Sequence, residues 1–232
     1  MKICLFSDIH GNGDAFEAVF VQILKEKADL HICLGDTVGY YADEGEIIGR
    51  LEKVQNLIVL RGNHDEMYIR AGEGDGHIRS IYEQRYSSAL EVFLEKDHRH
   101  ALEWLKALPV SYVDVQDRFA CYHASPWDPL MEYIYPDVRM DRFRALPQKY
   151  FFLGHTHYGM LLDMGDKKIV NPGSVGQPRD GHWPSFAVVD LDKGTSEIRY
   201  VPFDVDKFLG RIGISPTHPY LHNVFMRIKR DG

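Results

Sequence analysis

The chain has 232 residues, a formal net charge of −7, and hydrophobic and charged fractions of 44% and 26%. Its length suits one large domain with a sizeable core, and its acidic balance argues against a dedicated nucleic-acid binder, whose footprint is a basic patch. The three cysteines, Cys4, Cys33 and Cys121, each lie in or beside an apolar run, so buried free thiols are expected in place of disulfides or thiolate metal ligands. Met1 to Phe6 leads straight into Ser7-Asp8 and is too short for a signal-peptide core. No stretch reaches the roughly 18 apolar residues that a membrane-spanning helix needs. The expectation is a single cytoplasmic domain over residues 1–232, with no membrane association.

Lys2 to Phe6 reads as a buried strand ending in Ser7-Asp8-Ile9-His10-Gly11-Asn12-Gly13, and in extended backbone Asp8 and His10 fall on one side. Asp14 with Glu17 three residues on makes a capping-box pattern. Ala15, Val19, Val21, Ile23 and Leu24 then supply the apolar stripe of a helix. Asp29 to Leu34 is a second strand, which delivers Gly35-Asp36. A loop through Tyr40, Tyr41 and Asp43 leads to a helix from Glu44 to Val54, and Leu57 to Leu60 is a third strand. Gly62 lets the backbone turn sharply. Asn63 and His64 follow as neighbours, so their side chains point in different directions. Strand, helix, strand, helix, strand implies a parallel sheet with helical crossovers.

Asp65 to Leu108 has helical spacing, broken by a mobile surface loop at Gly72–Gly76 and stopped by Pro109. Ser111 to Val115 and Arg118 to Tyr122 read as a hairpin whose second strand leads to His123. A short helix over Asp137 to Leu146 precedes the apolar strand Tyr150 to Leu153, which ends in Gly154-His155-Thr156-His157. Met160 to Met164 and Lys167 to Val170 flank a Gly165-Asp166 turn, and Asn171-Pro172-Gly173-Ser174 follows. Two more strands, Ser185 to Leu191 and Glu197 to Phe203, precede a closing helix from Asp204 to Ile212. The tail from Ser215 shows little periodicity, and its apolar residues could serve either this domain or a second copy in a homo-oligomer. The second half looks richer in antiparallel strands. The expected architecture is α/β, with two mixed sheets facing each other and flanked by helices.

The polar residues that end these strands form one set: Asp8, His10, Asp36, Asn63, His64, His123, His155 and His157. In parallel α/β sheets, sites form at the carboxyl ends of strands. A mixture of His, Asp and Asn without thiolate suits Mn, Fe, Zn or Co. It supplies too many ligands for one tetrahedral ion, and suits two ions sharing a carboxylate, the arrangement that clamps the attacking and leaving oxygens of a phosphoryl group.

Asp8-x-His10, Gly35-Asp36, Gly62-Asn63-His64-Asp65, His123 and Gly154-His155-Thr156-His157 together resemble the calcineurin-like metallophosphoesterase signature, with every block in the family's order. Asn171 to Arg179 extends the resemblance to the small bacterial and archaeal branch. The resemblance implies a four-layer α/β/β/α sandwich and a metal-dependent phosphoesterase. It implies two divalent transition-metal ions (Mn, Fe, Ni, Zn or Co), with manganese a candidate. Asp8, His10, Asp36 and His157 would hold one ion; Asp36, Asn63, His123 and His155 would hold the other, with Asp36 bridging. His64 would give a proton to the leaving oxygen, and Asp65 would orient or charge-stabilise His64.

Expected substrate contacts are Asn63, Arg179 and Asn12. Arg179 suits bidentate hydrogen bonding to phosphate, against the plainer reading of a surface pair with Asp180. Tyr40, Tyr41 and Trp127 are read as stacking or packing residues, and His182 as a neighbour of the Arg179 loop. The substrate is expected to be a small phosphate ester: a phosphomonoester, a phosphodiester or a dinucleoside polyphosphate. The rival readings are a non-catalytic metal-binding scaffold, as in the retromer subunit of this fold, and a nuclease, which the acidic balance disfavours.

Overall fold

The structure is a computed structural model that describes residues 1–137, 141–213 and 218–228. The elements run β1 (Lys2–Phe6), α1 (Gly13–Lys25), β2 (Leu30–Cys33), α2 (Glu44–Leu51), β3 (Leu57–Val59), α3 (Asn63–Gly72), α4 (Gly76–Arg85), α5 (Ala89–Glu95), α6 (Arg99–Ala107), β4 (Ser111–Val113), β5 (Phe119–Tyr122), α7 (Asp141–Arg144), β6 (Tyr150–Phe152), β7 (Gly159–Asp163), β8 (Lys168–Pro172), β9 (Ser185–Asp190), β10 (Thr195–Tyr200), α8 (Val205–Ile212) and α9 (Tyr220–Met226). They build two five-stranded mixed sheets, ordered β10-β9-β1-β2-β3 and β4-β5-β6-β8-β7.

The alternation of side chains along each strand decides what it faces. On β1, Ile3 and Leu5 point into the space between the sheets and meet Phe119, Cys121, Tyr150 and Phe152 of the opposite sheet. Cys4 and Phe6 point outward, onto Phe16, Val19, Phe20 and Ile23 of α1 and Ile47 and Leu51 of α2. The opposite sheet repeats this, turning Ala120, Phe151 and Ile169 outward toward Phe143 of α7. Both faces of the central strands are covered, which is why they read as unbroken apolar runs. All three cysteines are buried free thiols, and no helix among the described residues is long and apolar enough to cross a membrane.

The second half is richer in antiparallel pairs, as expected: β4–β5, β7–β8, β9–β10 and β1–β9 are antiparallel, while β5, β6 and β8 run parallel within the second sheet and β9 and β10 join the first. Three further details are new or different. α1 is capped by Asn12, whose side chain accepts from Ala15 N, while Asp14 lies inside the helix and pairs with Arg211. The expected helix from Asp137 is described only as α7, since residues 138–140 lie outside the described set. The tail holds a helix, α9, whose buried Leu221, Val224 and Phe225 pack on Tyr41, Phe208 and Leu209 of the same chain. A seven-residue helix is too short to show periodicity.

Candidate metal centre

β1, β2, β3, β5 and β6 end at one edge of the paired sheets. Asp8, His10, Asp36, His155 and His157 all adopt left-handed backbone there, with φ of 56°, 53°, 55°, 66° and 62°. Each such residue costs about 1–3 kcal/mol and persists only where its surroundings over-determine it. Here a backbone lattice does so: Asp8 N donates to Gly35 O at 3.0 Å, and His10 N to Asp36 O at 2.9 Å. The reversed backbone swings each side chain off its strand and into the cleft. Gly62 is required for a different reason: a Cβ there would lie 2.1 Å from Asp36 Oδ1.

The side chains converge as two groups, Asp8 with His10 and His157, and Asp36 with His123 and His155. His10 Nε2 lies 3.0 Å from His157 Nε2, and Asp8 Oδ1 lies 3.8 Å and 3.4 Å from these nitrogens. In the second group, His123 Nε2 lies 3.4 Å from Asp36 Oδ2 and 3.0 Å from Asn63 Oδ1. Asp36 belongs to both, because the same Oδ2 is 3.6 Å from His10 Nε2. His10, Asp36 and His64 form a third grouping that links the pair to His64.

Whether this set fits cations can be read from its hydrogen bonds. A carbonyl only accepts, so a ring nitrogen facing one carries the proton. His157 Nδ1 donates to Gln177 O at 2.7 Å, which leaves its Nε2 lone pair aimed inward; His123 Nδ1 donates to Leu34 O at 2.9 Å while its Nε2 faces Asn63 Oδ1 at 3.0 Å, so Nε2 gives up a proton before it can ligate. His155 is turned the other way, its Nε2 on Met131 O at 3.3 Å. Outer carbonyls of this kind orient metal-binding imidazoles. Asp8 Oδ1 is buried and has no hydrogen-bond donor, a costly state for a carboxylate. Buried acceptors facing one another without donors are what a bound cation satisfies, and the residues fit two ions.

Electrostatics agree. Burial pushes the Asp8 carboxyl up to about 7. Burial also works on Asp36, but the imidazoles of His123, His64 and His10 hold it well below the usual range. Burial lowers His10 and His157 well below their ordinary value and His155 to about 3, leaving them as neutral donors of lone pairs. Burial opposes protonation of His123 too, yet the Asp36 charge beside it raises it to about 9.

Two expected roles change. Asp65 does not touch the His64 ring. Its carboxylate accepts from Gly62 N at 2.8 Å, Asp36 N at 2.9 Å, Thr37 N at 2.9 Å and Val38 N at 3.1 Å, so it ties the β2 and β3 turns together. The group on His64 is Tyr82, whose hydroxyl lies 2.9 Å from Nδ1. No spacing in the chain links position 82 to position 64. The only signal is a tyrosine pair four residues apart, Tyr82 on α4 and Tyr86 just past its end. Asn12 is likewise taken from the expected substrate contacts: it caps α1 and donates to Gly176 O at 2.9 Å, fully buried.

Arg179 does line the cleft, with Tyr40, Tyr86, Met131 and Tyr133. Its Nη2 sits 2.8 Å from Tyr40 Oη and 2.9 Å from Gln177 Oε1, and Asp180 bonds Gly159 N and His182 N instead of Arg179. Tyr41 is core, its hydroxyl on Leu221 O at 2.9 Å. Trp127 packs on Phe143 beneath Arg142, and His182 packs on Tyr200.

This geometry has relatives. A metallophosphoesterase from Sphaerobacter thermophilus superposes with a TM-score of 0.79 at 26% identity, covering 98% of this chain and 100% of that one. The hypothetical protein PH1004 from Pyrococcus horikoshii gives the same TM-score at 22% identity, covering 97% of each chain. The uncharacterized Methanocaldococcus jannaschii protein MJ0912 is 30% identical over 230 residues, covering 90% of this chain and 91% of its own. The sequence pattern of the calcineurin-like phosphoesterase superfamily domain matches residues 1–194. The clustered Asp and His side chains and this match agree: the chain belongs to the calcineurin-like phosphoesterase superfamily.

Proposed function

We propose that the protein hydrolyses phosphate esters with two divalent ions, one among Asp8, His10, Asp36 and His157 and the other among Asp36, Asn63, His123 and His155. The observation that carries this reading is the pair of buried clusters meeting at Asp36, with His64 beside them. Bound there, such ions supply Lewis acidity to the phosphoryl oxygens and lower the pKa of water.

The chain's own residues do the rest. Asp36 Oδ1 accepts the His64 backbone N–H at 2.8 Å, which locks the start of α3 to the shared carboxylate. Tyr82 holds His64 Nδ1, leaving Nε2 as the nitrogen from which a proton passes to the leaving oxygen. Arg179, held by Tyr40 and Gln177, offers its guanidinium to the phosphate. Tyr40 packs against His10 and His64, with ring centroids 4.6 Å and 4.8 Å away, and keeps water from the base of the cleft.

The test is hydrolysis of p-nitrophenyl phosphate, bis-p-nitrophenyl phosphate, a 2′,3′-cyclic nucleotide and a diadenosine polyphosphate by metal-stripped protein, with Mn²⁺, Ni²⁺, Zn²⁺ or no metal restored. Metal-dependent turnover of one class is expected. Absence of turnover in every form, with two ions bound, refutes the reading and favours a scaffold.

A further inference from the structure

α8 and α9 lie beyond the part of the chain that the superfamily pattern matches, which ends at residue 194. Together they fasten the loop of residues 39–43, between β2 and α2, at three points. Arg211 of α8 donates to both carboxylate oxygens of Asp43, at 2.9 Å and 2.6 Å. The carbonyl of Leu221 on α9 accepts the hydroxyl of Tyr41 at 2.9 Å. The ring of Tyr220 on α9 meets the ring of Tyr40 edge-on, with centroids 5.8 Å apart and an interplanar angle of 84°. Tyr220 is itself tied down, its hydroxyl donating to the carbonyls of Arg85 and Tyr86.

Tyr40 and Tyr41 are neighbours whose side chains go different ways. Tyr41 packs with Phe208 of α8 and Phe225 of α9. Tyr40 turns to the cleft, where its hydroxyl accepts Arg179 Nη2 at 2.8 Å. Tyr40 stands in irregular backbone, so no strand or helix pairing fixes it and its neighbours must. His10, His64 and His157 enclose its ring on the side of the clustered Asp and His, and Tyr86 and Tyr220 enclose it on the other. The Arg179 guanidinium has only that hydroxyl and Gln177 Oε1 as hydrogen-bond partners among the described residues. A long side chain loses much rotamer freedom when it is fixed, so its aim depends on the few groups that hold it.

We infer that Tyr220 is a positioning residue: its ring holds Tyr40, and Tyr40 in turn aims Arg179 at the phosphate, so the C-terminal helices complete the substrate site. Where the phosphate binds rests on the phosphoesterase reading, but the test is one of binding. The probe is inorganic phosphate, with its affinity measured by calorimetry on the full chain loaded with Mn²⁺. The variants are Arg179→Ala, Tyr220→Ala, Tyr220→Phe and the double variant of Arg179→Ala with Tyr220→Ala. Elemental analysis counts the metal of each, and circular dichroism its helix content. Arg179→Ala is expected to weaken phosphate binding about tenfold or more, the scale of a hydrogen bond to a charged group. Tyr220→Ala weakens it about fivefold with metal and helix content unchanged, because a loosely held donor forfeits preorganisation. Tyr220→Phe keeps the ring and stays within about twofold of the natural protein. In the double variant Tyr220→Ala adds less than about twofold, since its effect passes through a side chain already removed.

Unchanged phosphate affinity in Arg179→Ala or in Tyr220→Ala overturns the inference. So does an equal loss in Tyr220→Phe, a loss of metal or helix content in Tyr220→Ala, or a loss that persists undiminished in the Arg179→Ala background. Absence of phosphate binding by the natural protein overturns it as well. The hydrolysis panel separates the two readings. Turnover without coupling between Tyr220 and Arg179 defeats the positioning role and leaves the hydrolytic reading standing, whereas coupling without turnover does the reverse.

Discussion

Replacing Tyr82 by Phe removes one oxygen from the cleft's support. Tyr82 is fully buried, and its hydroxyl is 2.9 Å from His64 Nδ1. His64 is itself 4% exposed, so water cannot replace the lost partner. An unsatisfied buried polar group costs about 1–3 kcal/mol, and 1.4 kcal/mol is about tenfold in rate. Under the proposed mechanism that cost reaches the rate only where the leaving oxygen needs a proton from His64. Steady-state kinetics on a series of phosphate esters, from nitrophenyl to alkyl leaving groups, reads this directly. We expect kcat to fall about tenfold for the alkyl esters and to stay within about twofold for the nitrophenyl ester, which leaves without protonation. KM should change little. A uniform loss across the series would reduce Tyr82 to a packing residue, and an unchanged alkyl rate would refute the orienting bond.

Replacing Asp36 by Asn should remove both ions, since both clusters use its carboxylate; elemental analysis showing two retained ions would contradict the shared position. His64→Ala should keep its metal while turnover drops by about 10²-fold or more, the usual scale of a lost acid catalyst, read by pairing elemental analysis with kinetics. Gly176→Ala would place a Cβ 1.8 Å from the carbonyl oxygen of Ile9, between Asp8 and His10, so urea unfolding should show a loss of about 2–4 kcal/mol. Metal affinity should rise with pH between about 6 and 9. Burial holds the Asp8 carboxyl up at about 7, and the Asp36 charge outweighs burial to hold His123 at about 9, so both must lose protons to become ligands. The raised Asp8 by itself contributes a loss of metal-free stability as pH climbs from about 4 through 7, while the lowered His10, His155 and His157 contribute a gain as pH rises toward their unfolded values. Titration calorimetry in buffers of different ionisation enthalpy would detect the released protons, and affinity independent of pH would contradict the assignment.

Much of the centre was legible in the chain because its signals are local. Strand alternation and a polar residue just beyond each apolar run, with a glycine before it at Asp36, Asn63 and His155, need only a few consecutive positions. Those signals identify Asp8, His10, Asp36, Asn63, His123, His155 and His157 as strand-end groups. They also carry the family resemblance, whose expected two-sheet architecture the structure bears out. The misreadings share the opposite property. Asp65 sits next to His64 in the chain, yet its carboxylate is drawn to the amides of residues 36–38, where a turn of β2 presents unpaired donors. Asn12 looked free for phosphate because the cap it makes and the Gly176 carbonyl it reaches are visible only in the fold. Which second-half strands pair in parallel, β5 with β6 and β6 with β8, is a separate matter, set by crossovers and not by composition.

The amino-acid sequence by itself determined which chemical groups end which strands, since side-chain type and strand period are properties of a few neighbouring residues. The tertiary structure alone decided how those groups meet. His10 and His157 are 147 residues apart and touch at 3.0 Å, Tyr41 reaches Leu221 across 180 residues, and Tyr82, Arg179 and Tyr133 reach the cleft from separate segments. Such contacts depend on the packing of elements far apart in the chain, and no local pattern encodes them.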